Sequence, residues 1–143
     1  MTRRIAREKA FQTLFQIEVG RIKTEDALVA VFDEGDLTQK DLNYLRQVVL
    51  GTITNLAEID KYIGRNTHAW DLDRLANVDK TLLRLATYEM LYLPEVPRIV
   101  SINEAVELSK TYNSEEAGKF VNGLLDKIRL ELEAATKGKD PSV

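Results

Sequence analysis

The sequence contains no cysteine. That excludes a disulfide framework, a thiolate metal site and a cysteine nucleophile. Histidine occurs once, at His68, so a multi-histidine metal centre is excluded too. No apolar run approaches the roughly 18 to 20 residues that span a bilayer. No apolar h-region follows the charged N-terminus, so a signal peptide is not expected and the cytoplasm is the expected compartment. There is no phosphate loop, no GxGxxG and no metal-ligand spacing. The acidic pairs Asp33-Glu34 and Glu115-Glu116 are sequence neighbours, and adjacent residues on a helix do not face each other. His68, beside Trp70, reads as a packed or surface loop residue. Neither an enzyme nor a bound cofactor or metal is expected. Strand-type alternation and internal repeats are also absent.

What is present is an ordinary globular balance. Apolar residues make up 44% and charged residues 30% of 143 positions, enough for a real core in one domain or two small subdomains. The net charge is −3, which by itself argues against nucleic acid. Its distribution argues the other way. The first ten residues carry Arg3, Arg4, Arg7 and Lys9 against Glu8 alone, and the other 133 hold 16 basic and 22 acidic groups. A basic end on an acidic body points to a localised anionic partner.

The stretch from Asn77 to Leu93 is the expected structural centre. Val78, Leu82, Leu85, Ala86, Met90 and Leu93 form one apolar stripe at helical spacing, and Leu83 and Leu91 widen it beyond one face. A helix this apolar is covered on most sides. Asn77 is the expected cap, Asp79 complements the helix dipole, and Pro94 ends the helix. Its polar residues Asp79, Lys80, Arg84 and Glu89 are then expected on a narrow exposed strip. Asp79 and Glu89 lie about 15 Å apart along the axis, a span suited to docking a basic partner together with the Pro94–Pro97 connector.

Around this centre the periodicity predicts an all-α bundle of about six or seven helices, divided near Gly64–Trp70 into two three-helix subdomains. The first helix runs from Arg4 to Val19 and closes at Gly20. Thr24 caps a short second helix, which Gly35 breaks. Thr38 with Asp41 opens a long helix through Ile63, closed by Gly64. Residues 65–76 form a turn with Trp70 as a core plug. Ser101 with Glu104 reads as a second capping box. Ser114 caps the last helix. Residues 1–133 form the domain, and 134–143 read as a disordered tail.

Two clusters stand out chemically. Arg3, Arg4 and Arg7 sit at a helix start, where the dipole disfavours cations. They are either a solvated, frayed end or a fork-shaped grip for phosphates and bases. Lys119 and Phe120 lie in the first turns of the final helix, where free N–H groups attract anions. Phe120 either stacks a base or joins Leu124 and Ile128 in the core, and spacing alone favours the core.

Several blocks carry a resemblance: Arg3-Arg4-Ile5-Ala6-Arg7-Glu8, Leu83-Arg84-Leu85-Ala86-Thr87-Tyr88-Glu89, Ile102-Asn103-Glu104-Ala105-Val106-Glu107-Leu108, and Lys119-Phe120-Val121-Asn122-Gly123-Leu124-Leu125-Asp126. In this order, from about Arg3 to Ile128, the chain resembles the NusB family of bacterial transcription antitermination factors. The resemblance implies an all-helical fold that binds boxA, a single-stranded leader RNA, together with the small-subunit ribosomal protein that acts as NusE. It implies action on RNA polymerase, chiefly in ribosomal RNA operons. Carried over by position, the RNA contacts are Arg3, Arg4, Arg7, Phe15, Glu116, Lys119 and Phe120. The strip of Asp79, Arg84 and Glu89, expected on the surface of the central helix, is then the expected docking face for the NusE-like partner. Ile5 interrupts the arginine run. A NusB-like domain of the kind fused to ribosomal RNA methyltransferases is the alternative, and no chain is left for a methyl-donor domain. A protein-interaction module with an incidental basic end is the third reading.

Overall fold

The computed structural model describes residues 3–67 and 72–138. Over these it has seven α-helices and one short 3-10 turn. They are α1 (Arg3–Glu18), α2 (Thr24–Asp33), α3 (Gln39–Thr54), α4 (Leu56–Asn66), the turn Leu72–Arg74, α5 (Asn77–Tyr92), α6 (Arg98–Tyr112) and α7 (Glu115–Gly138). His68 and Trp70, with its expected role as a plug, lie outside the described residues.

Helix α5 is the centre, as its apolar width predicts. It packs against α1, α3, α4, α6 and α7. From Asp79 to Met90 every residue but Arg84 is buried. One hydrophobic cluster takes side chains from all seven helices, from Ala6 and Ala10 in α1 to Ile128 and Leu132 in α7. At one point α3 comes so close to α5 that the Tyr88 ring lies over Gly51, 2.4 Å from where a Cβ would stand. Glycine is required there because any side chain would displace a buried ring.

Two caps form as the sequence predicts. Thr38 Oγ1 accepts from Asp41 N at 3.2 Å, and Ser114 Oγ accepts from Ala117 N at 3.0 Å. Gly35 takes a left-handed φ of 75° after α2, a conformation that costs glycine little.

Other boundaries differ, for physical reasons. The long helix from Thr38 to Ile63 is two helices. Asn55 turns its amide back onto Gly51 O at 2.8 Å, and this side-chain bond competes with the helical ladder. Helix α4 continues past Gly64 to Asn66, whose amide donates to Tyr62 O at 2.8 Å and to Glu131 of α7 at 3.0 Å. Thr24 and Asn77 are the first helical residues and not the caps, which are Lys23 and Ala76, neither making a side-chain cap bond. Helix α6 starts at Arg98, behind Pro97, whose fixed φ suits a helix entrance. Ser101 and Glu104 therefore lie inside the helix and form no capping box. Helix α7 runs to Gly138, so residues 134–138, expected in the tail, are helical, and Thr136 Oγ1 bonds Leu132 O at 3.0 Å.

The expected docking strip on α5 is overturned, because its polar residues face inward to other helices. Glu89 is fully buried. It accepts from Arg7 Nε at 2.8 Å and Nη2 at 2.9 Å, from Ser101 Oγ at 2.9 Å and from the Tyr44 hydroxyl. Asp79 is buried, accepting from Ser109 Oγ and Asn113 Nδ2, both at 3.3 Å. Lys80 is buried too. Arg84 is half-buried and forks onto Asp60 at 2.9 Å through both nitrogens, with Glu18 at 3.0 Å. A helix packed on five neighbours leaves little polar face to solvent, so Asp79, Arg84 and Glu89 pair within the protein.

Arg7 and Glu89 sustain each other. Burial alone would push the Arg7 guanidinium down, but its hydrogen bonds to Glu89 and the charge of that carboxylate outweigh this and raise it above its ordinary value. Burial, then the charge of Glu89, pushes the Tyr44 hydroxyl well up. Arg7→Met should therefore cost about 3–5 kcal/mol, since a buried carboxylate loses its counter-charge. Urea unfolding at pH 7 measures it, and the cost should shrink when Glu89→Gln is added.

Burial raises the Asp79 carboxyl above 3.8, only partly offset by the Asn113 and Ser109 bonds. The folded chain thus holds that proton more tightly than the unfolded one. The associated stability is full below about pH 4 and is lost as pH rises through the raised value. Asp79→Asn should accordingly gain melting temperature relative to the parent as pH goes from 4 to 7.

Candidate nucleic-acid interface

The basic start of α1 divides into three different environments. Arg3 is half-buried and lies over the Tyr44 ring, 4.4 Å from its centroid. Arg4 is exposed, with 71% of its side-chain surface accessible. Arg7 is buried, and its fork is taken by Glu89. The expected set of three surface arginines is thus a set of two. Arg7 is structural because helical spacing puts it on the inner face of α1 beside Ala6 and Ala10.

Helix α1 has no acidic residue in its first turn to complement its dipole. The complement comes from α6. Glu104 accepts from Arg4 Nε at 3.0 Å and Nη2 at 2.8 Å, and Arg7 Nη1 stands 3.9 Å from the same carboxylate. Hydrogen bonds from Arg4, against some burial, hold the Glu104 carboxyl below the usual carboxylate range.

The second cluster is exposed as well. Glu116 and Lys119 face solvent, and Phe120 keeps 39% of its surface accessible. The core stripe of α7 is instead Val121, Leu124, Leu125 and Ile128. Spacing allowed Phe120 into that stripe, and the structure leaves the ring out. Gly118, one residue before Lys119, packs under Lys110 and Val106 of α6.

The corner between α6 and α7 is fastened to α1. The Tyr112 hydroxyl donates to Glu8 Oε2 at 2.6 Å and accepts from Gln12 Nε2 at 2.7 Å. Its ring stands 5.0 Å from Phe11, which stands 6.0 Å from Phe15. Phe15 is half-buried at the end of this aromatic row. Arg4 meets Glu104 in the middle of α6, and Gln12 meets Tyr112 at its C-terminal end, so α1 and α6 run alongside each other in the same direction. Arg4, Phe15 and the opening of α7 are thereby joined along one seam.

Sequence reasoning missed Glu104 and Tyr112. Glu104 is absorbed by an apparent capping box, and nothing local marks Tyr112. One signal was available: Val96-Pro97 marks an earlier helix start, which frees Ser101 and Glu104 for tertiary partners. Among the described residues no group of three or more His, Asp or Glu side chains is placed to hold a metal, and no helix is long and apolar enough to cross a membrane.

Comparison with known proteins agrees with these features. The NusB family pattern matches residues 4–129. The transcription antitermination protein NusB of Geobacillus kaustophilus is 47% identical over 93% of this chain and 99% of its own. That of Bacillus subtilis is 44% identical over 93% and 98%. The solved T. maritima NusB superposes with a TM-score of 0.85 at 42% identity, over 92% of each chain. A crystal structure of the antitermination factors NusB and NusE in complex with dsRNA matches with a TM-score of 0.81 at 30% identity, over 92% of this chain and 99% of that one. The chain belongs to the NusB family, a non-enzymatic family of transcription antitermination proteins.

Proposed function

We propose that this chain binds single-stranded boxA-type RNA along the seam of α1 and α6, from Arg3 and Arg4 past Phe15 to Glu116, Lys119 and Phe120. It does so with a small-subunit ribosomal protein acting as NusE, and the assembly acts on RNA polymerase in ribosomal RNA operons, in the cytoplasm. The observation that carries the reading is the exposed Phe120 ring beside Lys119, at a helix start whose preceding corner, Tyr112, is fastened to the middle of α1 through Glu8 and Gln12. An exposed ring stacks most readily on a base that is free of its own pair, and stacking with a cation alongside is how proteins hold single strands. Arg4 and Phe15 are eleven residues apart, about 16 Å along α1, room for several nucleotides. Glu116 offers an acceptor to a base amino group. The solved relative that carries NusE and RNA together supports a two-protein assembly.

Filter binding tests the reading with a boxA strand, a scrambled strand and a base-paired boxA duplex. Preference for the boxA strand is expected, and equal retention of all three would defeat the reading. Two variants sharpen it. Arg3→Ala with Arg4→Ala should weaken binding and lower the log–log salt slope by about 0.7 for each lost phosphate contact, with the melting temperature little changed. Phe120→Ala should cost about 1–3 kcal/mol of RNA affinity and leave the urea midpoint near that of the parent, because the ring is not in the core.

A further inference from the structure

We infer that Glu104 is a positioning residue for RNA: it holds the Arg4 guanidinium in one orientation, presenting its outer edge and face to the strand. This rests on the reading of Arg4 as an RNA contact.

An arginine on the first turn of a helix, mostly solvent-exposed, has many rotamers, and ordering a long side chain is costly. Arg4 is already ordered. Glu104, from a different helix, takes the Nε and Nη2 donors in a bidentate pair. Nη1 and the planar face remain, and Glu104 does not occupy them. A preorganised donor loses less entropy on binding than a free one.

Glu104 is itself fixed. Its side chain is only 15% exposed, in the middle of α6. Arg7 stands 3.9 Å from it on the inner side, and Arg7 is locked by the buried Glu89. Charges therefore alternate from core to surface: Glu89, Arg7, Glu104, Arg4. The position of the outermost cation is set by the buried carboxylate three links further in. Arg7 also offsets the charge of Glu104, which by itself would repel phosphate. The other available arginine of the cluster, the half-buried Arg3, is held by an aromatic ring and not by a carboxylate, so the device belongs to Arg4.

The opposite reading of the same contact is competition, in which Glu104 occupies the edge that a phosphate wants. The two readings differ in sign. The test is binding of a boxA single strand to Glu104→Gln, Arg4→Ala and the double variant, with association and dissociation followed separately. Positioning predicts that Glu104→Gln weakens binding about two- to tenfold, the weight of one rotamer-rich side chain left to be ordered on binding, seen mainly in faster dissociation. In the Arg4→Ala background the Glu104→Gln change should have no further effect, which a general loss of structure would not produce. Melting temperature guards against unfolding, and Glu104→Asp, which keeps the charge but shortens the reach, serves as a second variant expected to fall between parent and Gln. Unchanged or tighter binding by Glu104→Gln overturns the inference while leaving Arg4 an RNA contact. An Arg4→Ala variant that binds like the parent removes both.

Discussion

A single buried carboxylate ties this fold together. Glu89 lies in the last turn of α5, shut off from water, and receives four hydrogen bonds from three helices: two from Arg7 on α1, one from Tyr44 on α3, one from Ser101 on α6. Such a group is tolerable inside a protein only when its charge is met and its lone pairs are filled. The requirement is directional, unlike the packing of leucines around it. Hydrophobic contact would hold α1, α3 and α6 near α5 in many registers. The Glu89 cluster satisfies its bonds in one.

That register determines the outer surface. Fixing Arg7 fixes the rotation of α1, and with it the side of the helix on which Arg4, Glu8 and Gln12 emerge. Fixing Ser101 does the same for α6, so Glu104 and Tyr112 meet those residues across the seam. The surface proposed for RNA is thus built outward from a polar core, and its two basic clusters are held by contacts between residues about a hundred positions apart. Helix α7 completes it because Ser114 caps its start at the corner Tyr112 secures. A rigid, preorganised face also lowers the ordering cost of holding a flexible strand.

Much of the fold was legible from pattern. The apolar width of the Asn77–Leu93 stretch marked a buried central helix, and Thr38 and Ser114 announced two helix starts through bonds made within one turn. The exposed arginines and the Lys119-Phe120 pair were legible as candidates because a cation at a helix N-terminus and an aromatic beside a lysine are locally unusual. What failed shares a cause. Ser101 and Glu104 have the spacing of a capping box, yet their partners are Glu89 and Arg4 on other helices. Asp79 and Glu89 carry charge, so composition assigned them to the surface, yet donors from α1, α3 and α6 receive them inside. Arg7 looked equivalent to Arg3 and Arg4 because all three have the same chemistry.

By itself, the sequence determined the all-helical class, the identity of the central helix, two caps and the family, since each depends on residues within a turn of one another or on their order along the chain. Only the tertiary structure decided which charges are structural and which are available. A carboxylate or guanidinium is committed by the partner it meets, and periodicity within one helix says nothing about the residue 82 positions away that arrives to meet it.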